Sequence, residues 1–370
     1  MKNLFKKASS QLQNKLPFVL YRQPKSGILQ SFFMPDSKAE STKFSSSGFC
    51  FFPFDNTQQN YFFDLEKAVY EETEIIKNEL VEEFNKSNTS IEENEDEKRI
   101  YIQLLSESIY LLKQGEYQKI VLSRPIQLSL KNQNPFETFQ KLLYVYQDAM
   151  VYIWFHPNEG IWLGATPETL VHYSQSNLKT MALAGTRLYE AHKQPNWSNK
   201  EKEEQAFVST YIQQKLKKYT THSNLSETYN KQAGNLVHLN TDISARIQQK
   251  DLQQVILDLH PTPAVCGLPT EKAKNYILEN EQYKREFYAG FLGEINLPKE
   301  KNRSRSNRNQ ETLAIKHRRA ETNLYVNLRC MKIKDRKAQL FVGGGVTASS
   351  NATDEWKETG DKSQTLLKVL

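Results

Sequence analysis

Residues 341–362 read FVGGGVTASSNATDEWKETGDK, three glycines ending a β-like run and then an acid-rich helical pattern. Glu355, Glu358 and Lys362 follow at spacings of three and four, which puts them on one helix face. A second stretch, SNKEKEEQAFVSTYI, sets Glu201 and Glu204 three apart in the same way. Bare backbone at Gly343–Gly345 lets N–H groups approach a ligand closely. Two facing carboxylate pairs suit a hard cation such as Mg²⁺. Together they point to a small anionic molecule bound with a metal. Each pair also has a plain structural reading: Ser198-x-x-Glu201 is a capping box, and Asp354 and Glu355 suit the dipole at a helix start.

Other segments carry residues of the same double character. ALAGTR (182–187) is a small-residue turn after an apolar strand; it either offers the N–H groups of Gly185 and Thr186 to a carboxylate or simply ends the strand. His238, in LVHLNTDISARI, is a ligand contact or a satisfied core histidine. LHPTPAVCGLP is a proline-stiffened loop around Ala264 that shapes a pocket or turns a corner. Lys119 opens KIVLSR as a solvent-facing strand end or as a base, which a lysine becomes when desolvation lowers its pKa. Glu168, in GATPETL, is a surface glutamate after a proline turn or an acid.

These residues need elements to hold them. The chain has 370 residues, 38% of them hydrophobic, and a net charge of +6. That balance permits an anionic partner without demanding nucleic acid. Cys50, Cys266 and Cys330 are widely spaced, with neither a zinc pattern nor a disulfide framework. No apolar run approaches a membrane span, so a cytoplasmic chain free of membrane is expected. FVLYRQ, GFCFFPF, KIVLSRPIQL and LKTMALAGTRL read as strands, and VYIWFHPNEGIWLG as a hairpin. RIYIQLLSESIYLLKQG has helical periodicity and stops at Gly115, and 200–218 is a second helix. Residues 64–98 are Glu-rich, with SNTSIEENEDEK as a solvated loop. The polar, basic stretch 296–321 reads as a long exposed hairpin loop. The expected architecture is one α+β domain. Residues 1–99 are a motif-free N-terminal part that extends its sheet, and 100–370 form the catalytic region.

From KIVLSR onward the chain resembles the chorismate-utilising enzymes: the anthranilate, aminodeoxychorismate, isochorismate and salicylate synthases. The resemblance rests on KIVLSR, GATPETL, ALAGT, KEKEEQ, VHLNTDISARI, LHPTPAVCGLP, REFYAGFLGEI, YVNLR, FVGGGV and DEWKETGDK, all in family order. It implies a layered α/β fold with large β-sheets packed together, helices outside and the active site between the sheets. It implies Mg²⁺ held directly by Glu204 and Glu358, and largely through water by Glu201 and Glu355. Lys362 and the N–H groups of Gly343 and Gly345 would meet the ring carboxylate of chorismate. Arg329 and Tyr288 would meet the enolpyruvyl carboxylate, where a guanidinium can bind in bidentate fashion. Gly185 and Thr186 would sit in the loop beside the ring, and His238 would be an active-site histidine that meets substrate. The family usually reads Ala-Gly-Ala-Gly where this chain has Val-Gly-Gly-Gly.

The resemblance also separates reactions. Family members that add water at ring carbon two have lysine at the position of Lys119, and those that add ammonia have glutamine. Glu168 matches the acid that protonates the departing hydroxyl. Ala264 matches the isochorismate synthases, whereas enzymes that go on to eliminate pyruvate typically have threonine. The expectation is an Mg²⁺-dependent isochorismate synthase, monomeric, whose usual destination is menaquinone. Salicylate synthase or a siderophore-pathway enzyme is the runner-up. A nucleic-acid-binding role for the basic 299–319 segment is weaker, because it lacks interleaved aromatics.

Overall fold

A computed structural model describes residues 1–76, 94–130, 134–189, 195–233, 236–302 and 316–370. Two antiparallel sheets dominate it. The first runs β14 (Gly267–Leu268), β6 (Lys119–Ser129), β18 (Lys337–Val346), β17 (Cys330–Lys334), β8 (Gly160–Thr166), β7 (Met150–His156), β1 (Phe18–Arg22), β2 (Ile28–Phe33) and β5 (Val69–Glu74). The second runs β11 (Ser223–Leu225), β13 (Leu236–Arg246), β10 (Asn177–Leu188), β9 (Thr169–Ser174), β16 (Lys316–Val326), β15 (Phe291–Asn302), β3 (Gly48–Phe52) and β4 (Tyr61–Asp64). β12 (Tyr229–Ala233) also pairs with β13.

The period-two alternation of strand side chains explains the layering. In β7, Met150, Tyr152 and Trp154 face the core between the sheets, while Val151, Ile153 and Phe155 face a second core on the far side. Phe51 of the second sheet stacks on Trp154 of the first with ring centroids 4.2 Å apart. The far-side core is closed by α1 (Lys2–Gln13), α3 (Pro135–Val145) and the C-terminal residues Leu366–Leu370. α4 (Asn199–Leu216) packs on β10 and β13, and α5 (Leu252–Leu259) packs on α4. α2 (Glu95–Lys113) and α7 (Ala352–Leu367) pack on each other, with α7 against β18. α6 (Thr270–Asn280) lies beside β14 and β6.

The expected strands, the hairpin and both early helices are present. Gly115, with φ +77°, lies just beyond the last turn of α2, where a left-handed residue ends a helix without side-chain strain. Four expectations need correction. The acidic stretch does not stay a loop to residue 98: Asn94 accepts from the N–H groups of Asp96 and Glu97, so the acids open α2 and suit its dipole. ALAGTR is not a turn but a bulge inside β10, with Gly185 at φ +67°. The stretch 296–321 is ladder at both ends rather than loop throughout, since β15 reaches Asn302 and β16 begins at Lys316; residues 303–315 lie outside the described ones. The N-terminal segment does not extend one sheet but serves both, β1, β2 and β5 in the first and β3 and β4 in the second.

Candidate active site

A cavity of about 240 Å³ opens where β6 and β18 of the first sheet meet β10 and β13 of the second. Of the residues singled out in the sequence, it is lined by Lys119, Glu168, Gly185, Glu201, Glu204, His238, Ala264, Tyr288, Arg329, Gly343, Gly345, Glu358 and Lys362. Glu355 is not in that lining: it is buried behind the strand, its Oε2 3.4 Å from where a Cβ on Gly344 would stand. The Thr186 side chain lies outside the described residues.

β6 and β18 pair in register from Ile120↔Val346 to Ser129↔Lys337, which sets the glycine run directly beside the strand that Lys119 opens. A Cβ on Gly345 would stand 2.7 Å from Glu204 Oε1 and 2.9 Å from Lys119 Cε. Only a bare backbone lets those side chains come so close. Lys119 is 1% exposed and its Nζ lies 2.6 Å from Glu204 Oε1. Across the strand, Lys362 Nζ lies 2.8 Å from Glu358 Oε1 and donates to the carbonyl oxygen of Gly343 at 2.8 Å.

Both carboxylate helices are also capped as the sequence suggests. Asn351 accepts from the N–H groups of Thr353 and Asp354, which starts α7 so that Glu355, Glu358 and Lys362 fall toward β18. Ser198 and Glu201 form a capping box at α4. Glu201 is further held by Arg187, Nε to Oε1 at 2.9 Å and Nη2 to Oε2 at 3.1 Å. Burial raises its pKa, but Arg187 and Ser198 outweigh burial and hold it below the ordinary value. Arg187 carried no signal in the sequence, because its partner is fourteen residues away along the chain.

Glu168 follows Pro167 between β8 and β9 and is 3% exposed. Burial pushes its carboxyl up to about 7, against the pull of Lys119, Lys231 and Arg329. At neutral pH it therefore holds a proton part of the time, as a general acid must. Arg329 sits at φ +49° between β16 and β17, and burial lowers its guanidinium to about 10. Its Nη2 lies 2.8 Å from His238 Nε2, and His238 Nδ1 lies 2.9 Å from the carbonyl oxygen of Gly185. A guanidinium only donates, so Nε2 is the acceptor and Nδ1 carries the hydrogen. Burial, with Arg329 beside it, pushes the imidazole down to about 3, so it is neutral. His238 is thus neither a bare core histidine nor a proton shuttle at neutral pH; it aims the guanidinium. Leu183, Val121, Leu328 and Phe341 add apolar wall, which the sequence could not separate from core.

The donors around the glycine run suit a hard cation. Glu201, Glu204 and Glu358 all line the one cavity, while Glu355 stands behind the strand beside the Cβ position of Gly344. Among the described residues no three acidic, histidine or cysteine side chains already form a metal cage. Mg²⁺ needs none, since it is commonly bound by one or two carboxylates with substrate oxygens and water. Among the described residues no helix is long and apolar enough to cross a membrane.

The family model for chorismate binding enzymes matches residues 30–302 and 315–370. This chain belongs to the chorismate binding enzyme family. The match starts at residue 30, well before the catalytic region expected from residue 100, and leaves out the basic residues 303–314. The chain is 27% identical over 283 residues to the isochorismate synthase MenF of Haemophilus influenzae, covering 74% of this chain and 61% of that protein. This chain thus spans less than two thirds of that relative. Two solved structures share the fold with a TM-score of 0.75. One is described as a 2,3-dihydroxybenzoate-specific isochorismate synthase of Bacillus anthracis, 20% identical and covering 98% of each chain. The other is the menaquinone-specific isochorismate synthase MenF of Escherichia coli, 19% identical, covering 96% of this chain and 88% of that one.

Proposed function

We propose that this chain is an isochorismate synthase, converting chorismate to isochorismate with Mg²⁺. The observation that carries the reading is one cavity holding both a buried lysine, Lys119, and a buried carboxyl, Glu168, whose pKa is raised to about 7. Water adds at ring carbon two as the hydroxyl at carbon four departs and the double bond shifts between them. Lys119 takes the proton from the attacking water. Glu168 protonates the departing hydroxyl, so one water enters and one leaves. Arg329, aimed by His238, and Tyr288 hold the enolpyruvyl carboxylate, and Lys362 holds the ring carboxylate beside Gly343 and Gly345. Gly185 and Thr186 border the ring. When bound, Mg²⁺ screens the charge of the ring carboxylate and helps fix it. Glu204 and Glu358 would hold the ion, with Glu355 and Glu201 behind them.

Ala264 leaves the wall beside Val265 small, and the enolpyruvyl group stays on the ring. The test is incubation with chorismate and Mg²⁺, followed by product identification. Isochorismate should accumulate without pyruvate, and ammonium should yield no amino product. Pyruvate released in step with chorismate loss would make the chain a salicylate synthase instead. Menaquinone biosynthesis is the proposed destination, supported by the fold shared with the Escherichia coli MenF described as menaquinone-specific and by the likeness to the Haemophilus relative of the same protein name. Deleting the gene should then deplete menaquinone. A cytoplasmic monomer is the proposed working form, without nucleic acid.

A further inference from the structure

β14 is only two residues long, so it covers only the start of the outer edge of β6. The carbonyl of Cys266 accepts from the N–H of Val121, and there the backbone of the loop turns away, taking Ala264 and Val265 to the cavity. The next groups on that edge, the Val121 carbonyl and the Ser123 N–H, are buried and need partners. Two side chains supply them. Arg285 Nη2 donates to the Val121 carbonyl at 2.7 Å, and the Ser123 N–H donates to Glu281 Oε1 at 2.8 Å. The pair is joined by Arg285 Nε to Glu281 Oε2 at 2.7 Å and Nη2 to Oε1 at 2.6 Å, with both side chains almost wholly buried. Arg285 Nη1 also donates to the Val265 carbonyl at 2.9 Å. Its own carbonyl accepts from the N–H of Tyr288 at 2.8 Å.

Arg285 therefore fastens three walls of the cavity: through its guanidinium the β6 wall that carries Lys119 and the loop that carries Ala264, and through its own carbonyl Tyr288. We propose that the Glu281–Arg285 pair is a positioning device, standing in for the strand that β6 lacks and fixing where Lys119 and the Ala264–Val265 wall face the substrate. The catalytic part of this inference rests on the function proposed above. Neither residue lines the cavity, so neither touches substrate. Arg329 and Lys362, which recognise its carboxylates in that reading, stand on other elements, and Tyr288 is held by the Arg285 backbone carbonyl, which a side-chain substitution keeps. Loss of the pair should therefore fall on turnover more than on binding.

Arg285→Lys is the discriminating variant, since it keeps the charge beside Glu281 but has no planar fork to reach two carbonyls at once. Hydrogen exchange of a peptide spanning residues 119–124 should become at least about tenfold faster, with α7 unchanged. Turnover should fall by about ten- to a hundredfold, the scale of a misplaced reacting group, while KM for chorismate shifts less than about threefold. Glu281→Gln is the second variant should the first not fold; it keeps an acceptor for Ser123 and should move both readouts the same way. Unchanged exchange at 119–124 overturns the proposal whatever the substrate is. Faster exchange with wild-type turnover per folded molecule also overturns it, because the pair would then only fasten the fold. A wild-type chain inert toward chorismate counts against the proposed function instead, and the exchange arm then decides the positioning alone.

Discussion

Glu168 decides the pH behaviour of this site. In the unfolded chain its carboxyl ionises near the ordinary glutamate value, whereas burial in the folded chain holds the proton to about 7. Between those values the folded state carries one more proton than the unfolded state, so stability falls as pH rises through that window. The full penalty, roughly 3 kcal/mol, is present only above it. Glu168→Gln removes the titration, so it should melt above the wild type at about pH 8, with the advantage shrinking toward about pH 4.5. Its turnover of chorismate should fall at least about a hundredfold, the usual scale for a lost general acid. In the wild type, kcat/KM should decline as pH rises through about 7, because the acid loses its proton there. A flat profile across that range would remove Glu168 from the proton-transfer role. Lys119→Gln separates the base from the acid. It keeps length and hydrogen bonding, so KM should move little while turnover drops by about a hundredfold. Hydration of chorismate by that variant at a near wild-type rate would show that Lys119 is not the base.

The strand β18 and the two helices beside it act as a unit, and the three glycines are not equivalent. A Cβ on Gly344 would meet nothing closer than Glu355 Oε2 at 3.4 Å, an ordinary contact. Gly344→Ala should therefore fold, keep its activity and gain about 0.4–1 kcal/mol through a less flexible unfolded chain. This is the position where the family usually has alanine. On Gly343 the added carbon would stand 2.7 Å from the backbone oxygen of Leu122, which cannot swing aside. That variant should lose about 1–3 kcal/mol in denaturant unfolding. On Gly345 the clash is with the flexible ends of Glu204 and Lys119. Gly345→Ala should melt nearly as the wild type yet lose turnover, because it displaces the pair that the chemistry uses. Chelation should abolish turnover and added Mg²⁺ restore it; Glu204→Ala and Glu358→Ala should stay folded but inactive at any practical Mg²⁺ concentration. Full activity in EDTA would end the metal reading. These elements were legible in the sequence because capping residues, glycine runs and the three-and-four spacing are local signals. The bulge at Gly185 was not, since a small-residue run looks the same whether it ends a strand or distorts one. Arg187, Arg285 and the aiming of Arg329 by His238 were hidden because each depends on partners brought together only by the fold.

At the scale of the molecule, the N-terminal hundred residues were the least legible part, and none of the described ones lines the cavity. Their strands carry no motif, because what they contribute is pairing and packing. β1 pairs with β7 in the first sheet, and β3 pairs with β15 in the second. Phe51 lies against Trp154 in the core between them. The polar contacts are as specific. Glu294 of β15 is fully buried and accepts from Tyr21 Oη at 2.8 Å and Gln30 Nε2 at 3.2 Å, besides Lys299 and Asn323. Arg22 donates to the carbonyls of Leu143, Tyr146 and Ala149, closing the C-terminal end of α3. Removing residues 1–93 would leave two sheets with open, apolar inner edges, a buried carboxylate short of two donors, and carbonyls without their guanidinium. Exposed strand edges of that kind template aggregation. A chain beginning at Asn94 should therefore fail to give a soluble, cooperatively melting protein, although it contains every residue of the candidate site. Supplying residues 1–76 as a separate chain during refolding should recover some folded, chorismate-converting material. Removal of α1 alone should be milder, since only Leu4, Phe5 and Ala8 of that helix are buried. If the chain from Asn94 folds and turns over chorismate by itself, the N-terminal strands are an appendage, and residues 100–370 are a catalytic unit in their own right.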